Sequence, residues 1–523
     1  MAMRKHPSRF RAIRPVAEDL EQRKLLSGTV SGINTEGDAW TLTLSGPGTL
    51  SVTKQPDANG NATGLTDPSE ISTITIYGTD PLSSRIVGSV IPSGKGDGRV
   101  FFQNFTEVTN QDQRGTGGLG PLSIDMPQFY LGLTASTAPT STNGGTEPAI
   151  TIPDGVPTLR FGGVDTTAFF GTNVANNLNA NGQNNQLSVS LGIPQFAGTR
   201  IIVDKIITNS VPPTGTSTTP FQNGVTFQAT GRIGLFQANE IDGSTTNQPA
   251  AFPNGNQPPT AGGVIVQAQP ELAAGITAPI GFVRVGGNAT NLFVLTDNAI
   301  NTYFVGGETN NIGILAAGGT RNLYFGKGMD TANIKTNSVE RLFANRGAVN
   351  STVTSTRQIG NIEFGGDVVG TTIRSGYEQN LSAPFGAVPS AILATPTPLA
   401  GGQMRVNVAG NITNSIFASS VQPGSSGFGS ADDLRLPLGT ISARVQGTID
   451  NSTATPQSPS AAFYAQSVKL VKGPVVPPTV AEAPYSGALT PKSLPGVPHP
   501  YSYAFNARTR AAKAAARRSG STS

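Results

Sequence analysis

Arg321, Lys327, Asp330 and Lys335 fall within fifteen residues of one another in a chain of 523 whose charged residues make up only 13%. If a repeating backbone carried them to one face, a carboxylate beside several cations could act on a sugar chain, with calcium or with a second carboxylate. Asp297, Glu308 and Asp367 are further candidates. These three also adjoin Gly or Asn, where carboxylates commonly cap turn backbone, so no catalytic residue is assigned. Other chemistries are excluded by composition. There is no cysteine, and the two histidines, His6 and His499, sit in polar, proline-flanked ends. The body therefore offers no thiolate, no imidazole base and no His/Cys zinc set. Phosphate loops, dinucleotide fingerprints and nucleophile elbows are missing as well. "GGVDTTAFF" and "GGDVVGTTI" pair two glycines with an acid at the wrong offset for a calcium roll. Neither a metal column nor a cofactor is expected.

The elements that must position any such groups are short strands. Gly (64) and Pro (39) make up about a fifth of the chain, and helix-favouring stretches are nearly absent from the body. Cutting after a recurrent asparagine gives "LFVLTDNAIN", "TYFVGGETNN", "IGILAAGGTRN" and "LYFGKGMDTAN", each a short strand followed by turn residues. Two such segments make one coil, so the expected fold is all-β, a parallel β-helix or β-solenoid. Coils of roughly 20–22 residues are expected, with loop inserts and flexible basic tails.

Asparagine tolerates the left-handed backbone of a sharp corner, and its amide can bond the next coil. This reading stacks Asn291, Asn311 and Asn333 in one column and Asn301 and Asn322 in another. The apolar residues that follow, Leu292, Ile312, Leu323 and Ile334, then point inward. Glycine pairs after apolar strands, Gly286/Gly287, Gly306/Gly307 and Gly365/Gly366, are read as positions of positive φ. The solenoid body is expected over 151–471, with a β-rich cap or first coils over 28–150. Low-complexity inserts such as "APFGAVPSAILATPTPLAGG" are expected as loops on one face. In "TYF" and "LYF", Tyr303, Phe304, Tyr324 and Phe325 alternate, so half should be core and half free to stack on sugars.

The net charge of +4 is the balance of two basic ends, +4 over residues 1–27 and +5 over 505–523, against a body of −5. The body thus shows no basic face of the kind that binds nucleic acid. No apolar run is long enough for a transmembrane helix. Residues 472–504 are proline-rich and read as a semi-rigid spacer carrying the Ala- and Arg-rich tip 505–523, a tethering arrangement suited to an acidic surface polymer.

At the other end, "RPVAEDLEQRKLLSG" resembles the LEPR-x-LL motif near the start of many presumed surface proteins of planctomycete bacteria. Leu20, Glu21, Arg23, Leu25, Leu26 and Ser27 match, and Gln22 stands where the motif has proline. The resemblance covers about fifteen residues and implies export or envelope association, with 1–27 as a targeting-type tail. It implies neither a fold nor an activity. The expected function is a non-enzymatic, exported cell-surface or envelope protein, structural or adhesive, with envelope polysaccharide as partner. The alternative is a secreted polysaccharide lyase or glycoside hydrolase on the same scaffold.

Overall fold

Strand Ile280–Val285 pairs in parallel with Ala299–Val305, that with Gly319–Phe325, and that with Val339–Ala344. In this ladder Ile280 faces Ile300, Ile300 faces Thr320, Thr320 faces Val339 and Val339 faces Ile359, so a coil takes 20 or 19 residues. That repeat is the parallel β-solenoid. The computed structural model describes residues 28–473 apart from 56–63, 109–119, 133–148, 166–185, 193–197, 209–223, 244–262, 271–277, 378–397, 424–427, 429–432 and 451–461. The targeting motif (Leu20, Glu21, Arg23, Leu25, Leu26, Ser27), the basic tip and most low-complexity inserts lie outside the described residues.

Each coil has three sides rather than the two implied by the asparagine spacing. A front strand such as Ala299–Val305 is followed by a two-residue edge strand, Thr309–Asn310, and a back strand, Gly313–Ala316. The front column runs from Arg85–Ile91 to Ser467–Lys472 and the back column from Ile71–Tyr77 to Phe463–Tyr464. The first strands differ in direction. Gly28–Ile33, Ala39–Ser45 and Arg85–Ile91 pair antiparallel, as do Thr49–Lys54 and Ile71–Tyr77. These hairpins cover the upper end of both columns, where an open parallel edge would template further pairing. Parallel stacking is under way by Val100–Val108, upstream of residue 150, and the last strand ends at Lys472. No helix occurs among the described residues, so none could cross a membrane. Residues 209–223 and 244–262 fall between front and back strands, and 378–397 fall between a back strand and the next front strand.

The corners explain the sequence pattern, though not as the eleven-residue step suggests. Asn291 and Asn311 take left-handed φ of 53° and 54°, and the Asn311 amide donates to Asn291 Oδ1 at 2.6 Å. The column continues through Thr331, Asn350, Gly370 and Asn414, all at positive φ between the edge and back strands. Asn333 is not in it. It opens the back strand Asn333–Thr336 beside Gly313, two residues past the corner taken by Thr331. Asn301 and Asn322 lie within front strands, and Asn322 pairs with Thr302 rather than with Asn301.

Gly163 in "LRFGGVDTTAF" takes a φ of 147°, as expected, but the glycine pairs of the later coils serve proximity, not conformation. None of Gly286, Gly287, Gly306, Gly307, Gly365 or Gly366 is among the residues of positive φ. A Cβ on Gly306 would instead lie 2.4 Å from the Gly286 carbonyl oxygen, and one on Gly365 2.1 Å from that of Asn345. Where Asn345 and Arg346 replace the pair, the following Gly347 adopts a φ of 102° and the corner changes shape.

Inside, one continuous core fills the solenoid, and Leu292, Ile312, Leu323 and Ile334 are fully buried in it. Strand alternation sends Tyr303 and Phe325 inward and leaves Phe304 and Tyr324 half-buried on the outer side. Ser351, Thr371 and Ser415 form a buried hydroxyl column. Each bonds the carbonyl two residues back, at 2.8, 3.1 and 2.9 Å, which satisfies polar groups that would otherwise be costly inside.

Candidate functional site

The front face carries an extra residue per strand over successive coils. Thr199 faces Ile233 but Arg200 faces Leu235; farther along, Ile359 faces Met404 while Asn361 faces Arg405. Between these two shifts every front strand holds one residue more than the regular alternation needs. Ile300 and Tyr303 are both buried in the core with Asn301 and Thr302 between them. Such a bulge re-aims side chains and bends the strand. Stacked from coil to coil, it presents the column Gly234, Gly281, Asn301, Arg321, Glu340 and Gly360.

A groove of about 330 Å³ follows this column, lined by Arg232, Gly281, Asn301, Gly319, Arg321 and Glu340 among others. Glycines leave its floor bare, and the Arg321–Glu340 ion pair, 3.0 Å, closes one side. Both partners are well exposed, so the pair adds little stability and can open toward a ligand. A second groove of about 290 Å³ continues on the next coils, lined by Gln358, Gly360, Gln403, Arg405, Ser442 and Lys469 among others.

Beside the first groove Phe304, Tyr324 and Phe343 stand in register on consecutive coils, with Arg284 before them and Glu363 after. The Tyr324 and Phe343 rings lie 6.2 Å apart, tilted by 55°. The Tyr324 hydroxyl bonds the Arg341 guanidinium and holds its pKa above the ordinary value. Asn361 donates to Glu363 Oε1, and Asn322 Nδ2 donates to Thr302 Oγ1 at 3.4 Å. The result is an aromatic strip with amide, hydroxyl and guanidinium groups alongside. In chemical terms such a combination offers ring faces for stacking and polar partners for hydroxyls.

The four residues singled out by their spacing do not meet. Arg321 is in the front groove, Lys327 in the front-to-edge corner, Asp330 on the edge strand Met329–Asp330, and Lys335 on the back strand Asn333–Thr336. With 20 residues per coil, neighbours in sequence spread round the circumference, and only residues one coil apart stack. Lys327 pairs with Glu308 at 3.6 Å. Burial on the back face lowers the Lys335 pKa. Asp297, in the back-to-front corner, is raised by burial, and Asp367 Oδ1 accepts the Asn411 N–H at 2.7 Å. Glu308 and Asp367 are separated by three coils, about 14 Å at the usual strand spacing. They are not a carboxylate pair.

Sequence reasoning passed over two acidic clusters near the cap. Glu36, Asp38 and Asp97 bring carboxylate oxygens within 4.8 Å, a set that could hold a metal ion. Asp38 is held below its usual range because the Ser93 and Gly98 N–H groups donate to it at 2.6 and 3.0 Å, and Glu36 accepts the Asp97 N–H at 2.9 Å. Those bonds bind the 93–98 loop to the 34–38 turn. Glu107, only 5% exposed, is pushed up to about 7 by burial and then by the Asp154 carboxylate. The alternating acids of "NTEGD" and "GKGDGR" were the available signal for the first; for Glu107, its place among apolar strand residues in "VFFQNFTEV" was. Compared with protein-family models, with curated proteins and with solved structures, the chain matches none.

Proposed function

We propose that this chain is a non-enzymatic, exported protein of the cell surface or envelope, structural or adhesive, whose front face binds an extended polysaccharide. The observation that carries the reading is the stacked bulge. It opens a groove of about 330 Å³ along the coils, beside the Phe304–Tyr324–Phe343 strip. A backbone bulge repeated at each coil suits a repeating ligand, because the coil spacing of about 5 Å is close to the length of one sugar in an extended chain. The carboxylates beside the grooves are engaged, Glu340 by Arg321 and Glu363 by Asn361, which fits holding a ligand better than proton transfer to it. Export rests on the resemblance of residues 14–28 to the planctomycete motif.

Affinity electrophoresis against immobilised soluble polysaccharides tests the binding, with the full chain compared to a Phe304→Ala/Tyr324→Ala/Phe343→Ala variant. Retardation of the parent, lost in the variant by tenfold or more, is expected from about 1 kcal/mol per stacking ring. Chain shortening or new unsaturated ends in the bound polysaccharide would move the reading to the lyase or hydrolase alternative. Recovery of the protein only from the cytoplasm of its source cells would sink the surface assignment.

A further inference from the structure

The last three front strands differ in charge from the rest of the body. Gln403–Val408, Thr440–Val445 and Ser467–Lys472 contain Arg405, Arg444, Lys469 and Lys472 and no Asp or Glu, although the body as a whole is −5. Arg405, Arg444 and Lys469 are exposed, and among the described residues none of the three takes part in an ion pair. Arg405 and Lys469 also line the second groove, which is about 290 Å³ and furnished with Gln358, Gln403, Thr440 and Ser442.

Register adds a period to this charge. Arg341, Asn361, Arg405, Ser442 and Lys469 form one outward column, in which a cation recurs on every second coil. Two coils span about 10 Å. In an extended β-1,4-linked sugar chain successive residues face opposite ways, so carboxylates on one side recur every second sugar, a step of nearly that length. The hydroxyl or amide between each pair of cations falls where the intervening sugar would present its own hydroxyls. Arg444, two residues along from Ser442, supplies a further cation at the intermediate level.

We infer that the second groove is an acidic-polysaccharide subsite, binding an extended uronate chain along the solenoid axis with Arg405 and Lys469 on carboxylates two sugars apart. This rests on the reading of the front face as a polysaccharide surface and names the ligand class for its lower half. The probes are hexamannuronate and mannohexaose, which share a β-1,4 backbone and differ in the carboxylates. A single-stranded oligonucleotide of equal charge is the third probe.

Titration calorimetry of the full chain should show tighter binding of hexamannuronate than of mannohexaose, weakening as salt rises. Arg405→Gln with Lys469→Gln should weaken hexamannuronate binding on the order of tenfold, from two exposed charge pairs, and leave mannohexaose unchanged. Since both basic ends persist in the variant, binding through them would survive the substitutions, and unchanged hexamannuronate affinity would overturn the subsite. Equal or tighter binding of the oligonucleotide, lost in the same variant, would overturn the sugar assignment in favour of nucleic acid. If both hexasaccharides bind alike through the aromatic strip and ignore Arg405 and Lys469, the acidic subsite falls while the front-face reading stands. If neither binds, the two fall together.

Discussion

The front and back faces of the solenoid are built from the same coils and end up opposite in character. On the front, outward positions hold Phe304, Tyr324, Arg341, Asn361 and Arg405 at a water-facing surface. On the back, outward positions in two stretches are themselves apolar and covered, with polar residues such as Lys335 and Thr352 between them. Phe293, Leu295 and Leu315 alternate with the core residues Val294 and Ile314, yet are buried in a second cluster with Ile265. Farther down, Tyr377, Ala418, Val421 and Tyr464 form a third, with Phe428 packed against it. There the Tyr377 hydroxyl donates to the Val421 carbonyl at 2.5 Å, and the Arg374 guanidinium lies 5.6 Å from the Phe428 ring. The front is thus kept free, while the back is covered at two apolar stretches. The proposed function places the polysaccharide on the front because that is the face these buried clusters leave open.

The contrast is broken most directly at paired aromatic positions. Phe293→Ala removes a fully buried ring and should lower stability by about 3–5 kcal/mol, whereas Phe304→Ala, half-buried on the front, should cost about 1 kcal/mol. Urea unfolding followed by circular dichroism reads both. Equal losses would mean that the front strip is also structural and is not held open for a ligand.

Charge sharpens the same comparison. The front wears its charges outside, while Glu107 is an acid on the inward side of the back column, stacked between Ile76 and the coil of Thr151. Its folded pKa, pushed from 4.5 up to about 7, lies above the unfolded value, so the folded state holds the proton more tightly. The added stability is full below pH 4.5, falls as pH rises toward 7, and is gone above it, a change of about 3 kcal/mol at most. Thermal unfolding of Glu107→Gln should therefore lack the decline that the parent shows between pH 4.5 and 7. A parallel decline in both proteins would assign the pH dependence elsewhere.

The all-β class and the stacking of short strands were legible because they follow from local rules. Turn residues punctuate every strand, and alternation separates Tyr303 and Phe325 inside from Phe304 and Tyr324 outside. The third side of the coil was not legible. Its strands are two to four residues long, as in Ala289–Thr290, Gly347–Val349 and Glu240–Gly243, too short for any period to register. Missing that side turned a 20-residue repeat into two segments of ten or eleven, and so placed Asn333 at a corner that Thr331 occupies. The candidate site failed for the same reason. Arg321, Lys327, Asp330 and Lys335 are near in sequence, but stacking brings together residues one coil apart, such as Arg321 with Glu340. The front bulge was invisible because an extra outward residue between two inward ones reads, in one strand alone, as ordinary irregularity.

The seam between edge and back strands offers the finest test, since it holds both sides at their angle. Asn311 contributes there in two separable ways: it accepts a left-handed backbone at φ 54°, and its amide donates to Asn291 one coil up. Asn311→Gly keeps the backbone freedom and removes the side chain's bonding, of which the amide bond to Asn291 is worth about 1 kcal/mol. Asn311→Ala loses the bond and also forces a Cβ-bearing residue without a compensating side chain into the left-handed region, about 1 kcal/mol more. Alanine should therefore destabilise by about 2 kcal/mol and glycine by about half as much. Thr331 already occupies the equivalent corner one coil down, at φ 49°, so the fold tolerates a non-asparagine there. If glycine and alanine destabilise equally, the amide ladder alone sets the corner. If glycine matches the parent, backbone conformation alone sets it, and the ladder between Asn291 and Asn311 merely follows.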